Sequence, residues 1–338
     1  MAEIQISQPP SRSQRVTDLA FRVFCKAAAY VTVLLIVFIV LRIAKAATPA
    51  IHQYGAGFLT GTTWNPNQLQ FSVLPEIWGT LYSSLLALGV GSAFGLAAAI
   101  FLSEGYLGEF IFRGLKILGL EYHRIWGQVP DRVEDLLRNL IELLAAIPSV
   151  VYGLWGLFVV IPLIRPLCTW LHANAGWFPL FSKDLSGPGM LPAAFVLSIM
   201  ILPTITAISR SALVSVPGKL RMAAYGLGAT RWETLLGVII PTASGGIFGG
   251  IVLAFGRALG ETMALAMLVG NANKISVSLF SPANTLAALL ANNFPEARAG
   301  EVAVLMYAAL VLLGITLVVN VIGTMILNRT STGAGENA

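Results

Sequence analysis

The 338-residue chain is 56% hydrophobic and only 11% charged, with a mean hydropathy of +0.78. Soluble domains carry about 25% charged residues, so a water-facing globular fold is excluded. The net charge of +5 raises nucleic acid as a partner, but the placement of the basic residues, given below, excludes that too.

Residues 1–22 are polar, contain Pro9 and Pro10, and are expected to form a cytoplasmic tail. The first span, 23–45, is uncharged only from Ala27 to Leu41, with Lys26 and Arg42 placed to snorkel to the two interfaces. A secretory leader is the alternative here, since Ala44-Lys45-Ala46 resembles a cleavage site. The polar stretch ahead of it and the lysine inside the motif favour a retained anchor. Residues 46–76 follow as an extracytoplasmic loop, and its YGAGFLTGTTWNPNQ stretch suits an ordered cap.

Five further runs contain no Asp, Glu, Lys or Arg: 77–103, 143–164, 185–209, 234–256 and 302–328. Each exceeds the roughly 20 residues a helix needs to cross hydrocarbon, where helices satisfy their own backbone groups. The fold class is therefore an all-α membrane protein with six transmembrane helices, its core spanning 77–328. Helix 3 is expected over 136–163, with Pro148 kinking it or breaking one backbone hydrogen bond, and Pro203 doing the same in helix 4. Between helices 2 and 3, FIFRGLKIL (110–118) reads either as an amphipathic surface helix or as a linker helix. The tail 329–338 is expected to be disordered and cytoplasmic. Gly91-x-x-x-Gly95, Gly245-x-x-x-Gly249 and Gly246-x-x-x-Gly250 permit close helix packing.

With both termini cytoplasmic, fourteen Lys and Arg residues fall inside and six outside. That asymmetry follows the positive-inside rule, so the basic charge records topology rather than a nucleic-acid surface. Cys25 and Cys168 fall near opposite faces, which disfavours a disulfide. The three histidines are scattered without metal-ligand spacing, and no metal site is assigned.

Between helices 4 and 5 lies VPGKLRMAAYGLGATRWETLLGVIIP (216–241). It reads as two short cytoplasmic helices around a glycine turn. Pro217 suits the first turn of one, Gly226 and Gly228 the bend, and Thr230 with Glu233 a capping box on the other. Lys219, Arg221 and Arg231 are expected to face water or a partner.

Helix 5 then carries Arg257 and Glu261 in an otherwise uncharged stretch, IVLAFGRALGETMALAML. A charge at bilayer depth costs roughly 2.5–3.5 kcal/mol on insertion scales, so such residues pair and line polar paths. Four residues apart on one helix face, the two are expected to neutralise each other.

The 216–241 segment resembles the coupling loop of ABC importer permeases. Ala223 and Ala224 match its two alanines, Gly228 its glycine, and Val238, Ile240 and Pro241 its closing residues. Met222 stands where that pattern has glutamate, which puts an acidic contact with the ATPase in doubt. GATRWET, GRALGETMALAMLVGN, ELLAAIPSVVYGLWG (142–156) and FLTGTTWNP (58–66) extend the resemblance to the permeases of bacterial phosphate-specific ABC importers, C-type subunit, over about 55–325. The 105–130 stretch is longer than that family leads one to expect.

The resemblance implies a type I permease fold with coupling helices between helices 4 and 5, in a bacterial inner membrane. It implies as partners an A-type permease, an ATPase dimer that binds ATP-Mg, an extracytoplasmic phosphate-binding protein, and lipid. This chain has no G-x-x-x-x-G-K-[ST] pattern, so it is expected to be a translocation subunit without cofactor, not an enzyme. Arg257 is assigned to the phosphate path with Glu261 and Thr262. Glu261 is placed to hold Arg257 while the path is empty and to accept a proton from hydrogen phosphate. Arg221, Met222, Ala223, Ala224, Gly228, Thr230, Arg231, Glu233 and Pro241 are assigned to coupling. The alternatives are a sulfate- or molybdate-type permease and, in another class, a gradient-driven secondary transporter, which needs no coupling loop.

Overall fold

The computed structural model describes residues 12–104 and 129–335. The FIFRGLKIL segment lies outside the described residues. Six described helices are long and apolar enough to cross a membrane: Arg12–Tyr54, Leu74–Ser103, Ser149–Ala175, Met190–Val214, Arg231–Leu259 and Gly300–Asn328.

The first helix, α1 (Arg12–Tyr54), extends beyond the 23–45 span in both directions. An Arg22–Asp18 ion pair of 2.9 Å, one turn apart, supports the early start in a segment expected to be tail. Its apolar window is wholly exposed in the isolated chain, as suits a helix facing lipid. The chain then forms α2 (Gly57–Thr60) and a two-stranded antiparallel hairpin, β1 (Trp64–Asn65) and β2 (Gln70–Phe71), with Trp64 opposite Phe71. Asn65 Oδ1 accepts from the amides of Asn67 and Gln68, and Ser72 Oγ donates to Thr63 O at 2.7 Å. Phe58 stacks on Tyr307 with ring centroids 4.4 Å apart, so this ordered cap is anchored to the last helix.

The membrane bundle is built around α3 (Leu74–Ser103) and α7 (Met190–Val214), which pack along each other. Gly91 and Gly95 permit that approach: a Cβ at either would lie 2.9 Å from Ile201 or Ile205. The buried centre contains Ala87, Leu197, Ile201, Ile205, Ala254 and Leu265.

Pro148 does not kink a long helix 3; it separates two helices. The first is α4 (Val129–Ala146), and Pro148, in extended backbone at φ −59° and ψ 141°, caps α5 (Ser149–Trp155). A wide π turn over Gly156–Val160 leads into α6 (Ile161–Ala175), so the third span is 149–175 rather than 136–163. The same device recurs later. After α8 (Gly218–Gly226) and α9 (Arg231–Thr234), a π turn over Leu235–Ile239 leads into α10 (Ile240–Leu259). Each π turn is followed by Ile-Pro, at Pro162 and Pro241. Proline cannot donate to the carbonyl four residues back, and the widened turn absorbs the mismatch. One helical run thus extends from Arg231 to Leu259, joining the second coupling helix to the fifth span.

Beyond α10 come α11 (Met263–Leu268), α12 (Leu286–Asn293) and α13 (Ala299–Gly335). The last continues through 329–335, where the sequence leads one to expect disorder. The intervening 269–285 segment folds back over the start of α7 and satisfies its backbone there, with Met190 N to Ser281 O at 3.1 Å and Leu191 N to Leu279 O at 2.7 Å. Gly270, at φ +95° and packed on Pro282, makes the turn.

Candidate substrate path and coupling segment

The Arg257–Glu261 ion pair expected on one continuous helix does not form. Helix α10 ends at Leu259, with Gly260 as its cap and the Gly260 and Glu261 amides bonded back by three residues, to Arg257 O and Ala258 O. Thr262 Oγ1 donates to Gly260 O at 3.1 Å, and its backbone caps α11. Glycine has poor helix propensity, and a hydroxyl that bonds nearby backbone competes with the helical ladder. Glu261 therefore sits in the break ahead of α11 instead of lying over Arg257.

Arg257 stands in the last turn of α10 and is exposed in the isolated chain. The negative end of the helix dipole stabilises a cation there by about 0.3–1 kcal/mol. Its Nη1 donates to Thr204 Oγ1 of α7 at 3.4 Å. Arg257 thus presents free donors beside the Thr204 hydroxyl at a helix break. Glu261 and Thr262 are partly buried across that break.

The coupling segment holds the expected turn chemistry, with one correction. Gly228 has φ +86°; its amide bonds Tyr225 O at 3.0 Å while the Ala229 amide bonds Ala224 O at 3.1 Å. This is a Schellman motif with glycine in the left-handed position it requires. Thr230 and Glu233 form the capping box of α9: Thr230 Oγ1 accepts from Glu233 N, and Thr230 N donates to Glu233 Oε2 at 2.8 Å. Pro217 is the residue before α8 rather than inside its first turn. Met222 and Ala223 are exposed, Ala224 is buried, and Arg231 is exposed at the start of α9. Pro241 follows the π turn inside the run.

Arg221, expected to face water or a partner, turns inward. Its Nη1 hydrogen-bonds Glu104 Oε2 at 2.9 Å and lies 2.8 Å from Oε1. Sequence reasoning missed this pairing because 117 residues separate the two. It also missed Glu76, wholly buried at the other end of α3. The only signal for Glu76 is a lone acid at the edge of an uncharged run. A third feature is a cavity at the end of the bundle opposite α8, lined by Thr62, Lys183, Asn273, Lys274, Ser276 and Ser281.

The family model for "binding-protein-dependent transport system inner membrane component" matches residues 124–331. A phosphate transport system permease protein PstC of Mesorhizobium japonicum is 37% identical over 94% of this chain and 93% of that protein. A PstC of Xylella fastidiosa is 33% identical over 98% of each chain. A probable PstC of Methanocaldococcus jannaschii is 32% identical over 91% of this chain and 93% of that protein. Among solved structures, a bacterial alginate ABC transporter in complex with a periplasmic protein bound to alginate pentasaccharide aligns with a TM-score of 0.56 at 14% identity, over 93% of this chain and 96% of that one. A MetNI methionine ABC transporter chain aligns with a TM-score of 0.51 at 16% identity, over 79% and 99%. The fold is therefore that of ABC importer permeases, and the chain belongs to the binding-protein-dependent transport system inner membrane component family, among its PstC permeases.

Proposed function

We propose that this chain forms the phosphate path of an ATP-driven importer in a bacterial inner membrane, and that Arg257 meets the anion as it passes. The observation that carries this reading is the exposed Arg257 guanidinium at a helix break, bonded to Thr204 and free of any ion pair among the described residues. A guanidinium offers paired donors matched to phosphate oxygens. Glu261 and Thr262, across the break, supply an acceptor and a hydroxyl within the same stretch. In this reading the Glu261 carboxylate accepts a hydrogen bond from the hydroxyl of hydrogen phosphate, a donor that sulfate does not carry at neutral pH. Two lysines at the far cavity, Lys183 and Lys274, suit a mouth that receives an anion from a binding protein.

In this reading the termini and the α8–α9 segment are cytoplasmic. An ATPase dimer docks on the exposed apolar residues of that segment, among them Met222, Leu227 at 90% exposed and Trp232. An A-type permease faces Arg257 across the path, and lipid covers α1. ATP-Mg is bound by the partner ATPase, and this chain translocates without catalysing. Replacing Arg257 with Gln in the assembled complex tests the reading: uptake is lost while the complex remains in the membrane. Loss of the complex itself makes Arg257 a structural residue.

A further inference from the structure

Helix α3 ends at Ser103 and is capped by Glu104, the first charged residue after a 27-residue uncharged run from 77 to 103. A carboxylate at a helix C-terminus faces the negative end of the dipole and needs a cation. Arg221 of α8 supplies it, in a site where the two side chains are only 23% and 9% exposed. Arg221 Nη2 also donates to Leu213 O at 3.2 Å, and Arg210 Nε to Leu102 O at 3.4 Å, so the ends of α3 and α7 are tied together beside α8. Helix α8 otherwise packs on α9 and the π turn after it.

The opposite end of α3 grips the 269–286 segment. Trp78 Nε1 donates to Ser276 O at 3.1 Å, Tyr82 Oη to Val277 O at 2.7 Å, and Thr80 Oγ1 accepts from Leu286 N at 2.9 Å. Gly79 packs directly on the Asn284 carbonyl. The same segment supplies Asn273, Lys274, Ser276 and Ser281 to the far cavity. From Trp78 to Ser103 the helix is continuous, about 38 Å at 1.5 Å per residue.

We propose that the Arg221–Glu104 ion pair is the pin through which α8 drives α3, and through α3 the segment that walls the Lys183–Lys274 cavity. This route runs beside the helical rod from Arg231 to Arg257, so one coupling segment moves both the middle of the path and its far mouth. Arg221 and Glu104 are positioning residues in this account, and the inference rests on the transport reading above.

The test uses the full complex, with partner permease, ATPase and binding protein, in proteoliposomes where ATP hydrolysis and phosphate accumulation are read from one sample. Arg221→Ala and Glu104→Gln are each expected to lower phosphate moved per ATP by about tenfold, with the ATPase still bound. The exchanged pair, Arg221→Glu with Glu104→Arg, is expected to recover most of that ratio. An unchanged ratio in both single variants overturns the inference. So does loss of the ATPase from Arg221→Ala but not from Glu104→Gln, which makes Arg221 a docking residue. If Arg221→Ala does not assemble, the exchanged pair and Arg221→Lys decide: assembly with a ratio still lowered by the exchange overturns the pin, and recovery supports it. A wild-type complex that hydrolyses ATP but moves no phosphate overturns the transport reading, and this inference with it, before any variant is compared.

Discussion

The Arg257 guanidinium reaches across from the last turn of α10 to the Thr204 hydroxyl of α7, 3.4 Å away, rather than to the carboxylate of Glu261. A hydroxyl orients the cation without neutralising it. The charge is left to the negative end of the α10 dipole. In the proposed reading, Arg257 and Thr204 together mark the place where α10 and α7 meet the substrate.

Removing that orientation has a bounded effect. At 3.4 Å the hydrogen bond is long, so Thr204→Val is expected to cost at most about 1 kcal/mol, a fewfold rise in the phosphate concentration for half-maximal uptake. Uptake kinetics at matched expression check this, and an unchanged half-maximal concentration shows that Thr204 does not orient Arg257.

The turn between α8 and α9 is stiff because a Schellman motif and a capping box abut. Thr230→Ala removes the cap and is expected to destabilise by about 0.5–2 kcal/mol. Gly228→Ala forces a side chain into φ +86°, at about 1–2 kcal/mol. Thermal unfolding of the purified complex reads both, and each variant should also loosen ATPase binding.

Close packing of α3 on α7 predicts a large response at Gly91. A Cβ there would lie 2.9 Å from Ile201 Cγ1 and 3.2 Å from Ser198 O, so Gly91→Leu must separate the helices. Overpacking of this kind costs about 1–3 kcal/mol. The amount of folded protein in the membrane and its melting temperature should both fall, while Gly245→Leu, with open space at its Cβ, should be tolerated.

Met222 is 70% exposed on α8, so Met222→Glu should leave the chain's own stability within about 0.5 kcal/mol. A change in ATPase affinity without a change in folding would place this position on the partner surface. An unaltered affinity would place it outside that surface.

Much of the fold is legible in the residues, for physical reasons. Uncharged runs long enough to cross a membrane mark the spans, and the Thr230–Glu233 and Gly228 signatures mark the coupling turn because caps and left-handed glycines are local. The boundaries are less legible. Pro148 stands at a helix start instead of a kink because its extended backbone breaks the ladder outright. The N-terminal end of α1 reaches past the apolar core, where the Asp18–Arg22 ion pair one turn apart supports the helix. Within the site, four-residue spacing points to an Arg257–Glu261 pair only if the helix is unbroken, and the single hint against it is Gly260 followed by Glu261 and Thr262. The Arg221–Glu104 pin and the burial of Glu76 depend on tertiary contacts that no local pattern encodes.

The most direct test of the central claim is ATP-dependent uptake of labelled phosphate, with sulfate as competitor, by the assembled complex carrying either wild-type chain or Arg257→Gln. The account predicts uptake that requires ATP, ignores sulfate, and disappears in the variant while the complex stays intact in the membrane. Undiminished uptake by Arg257→Gln would contradict it, leaving the permease fold in place and the arginine outside the substrate path.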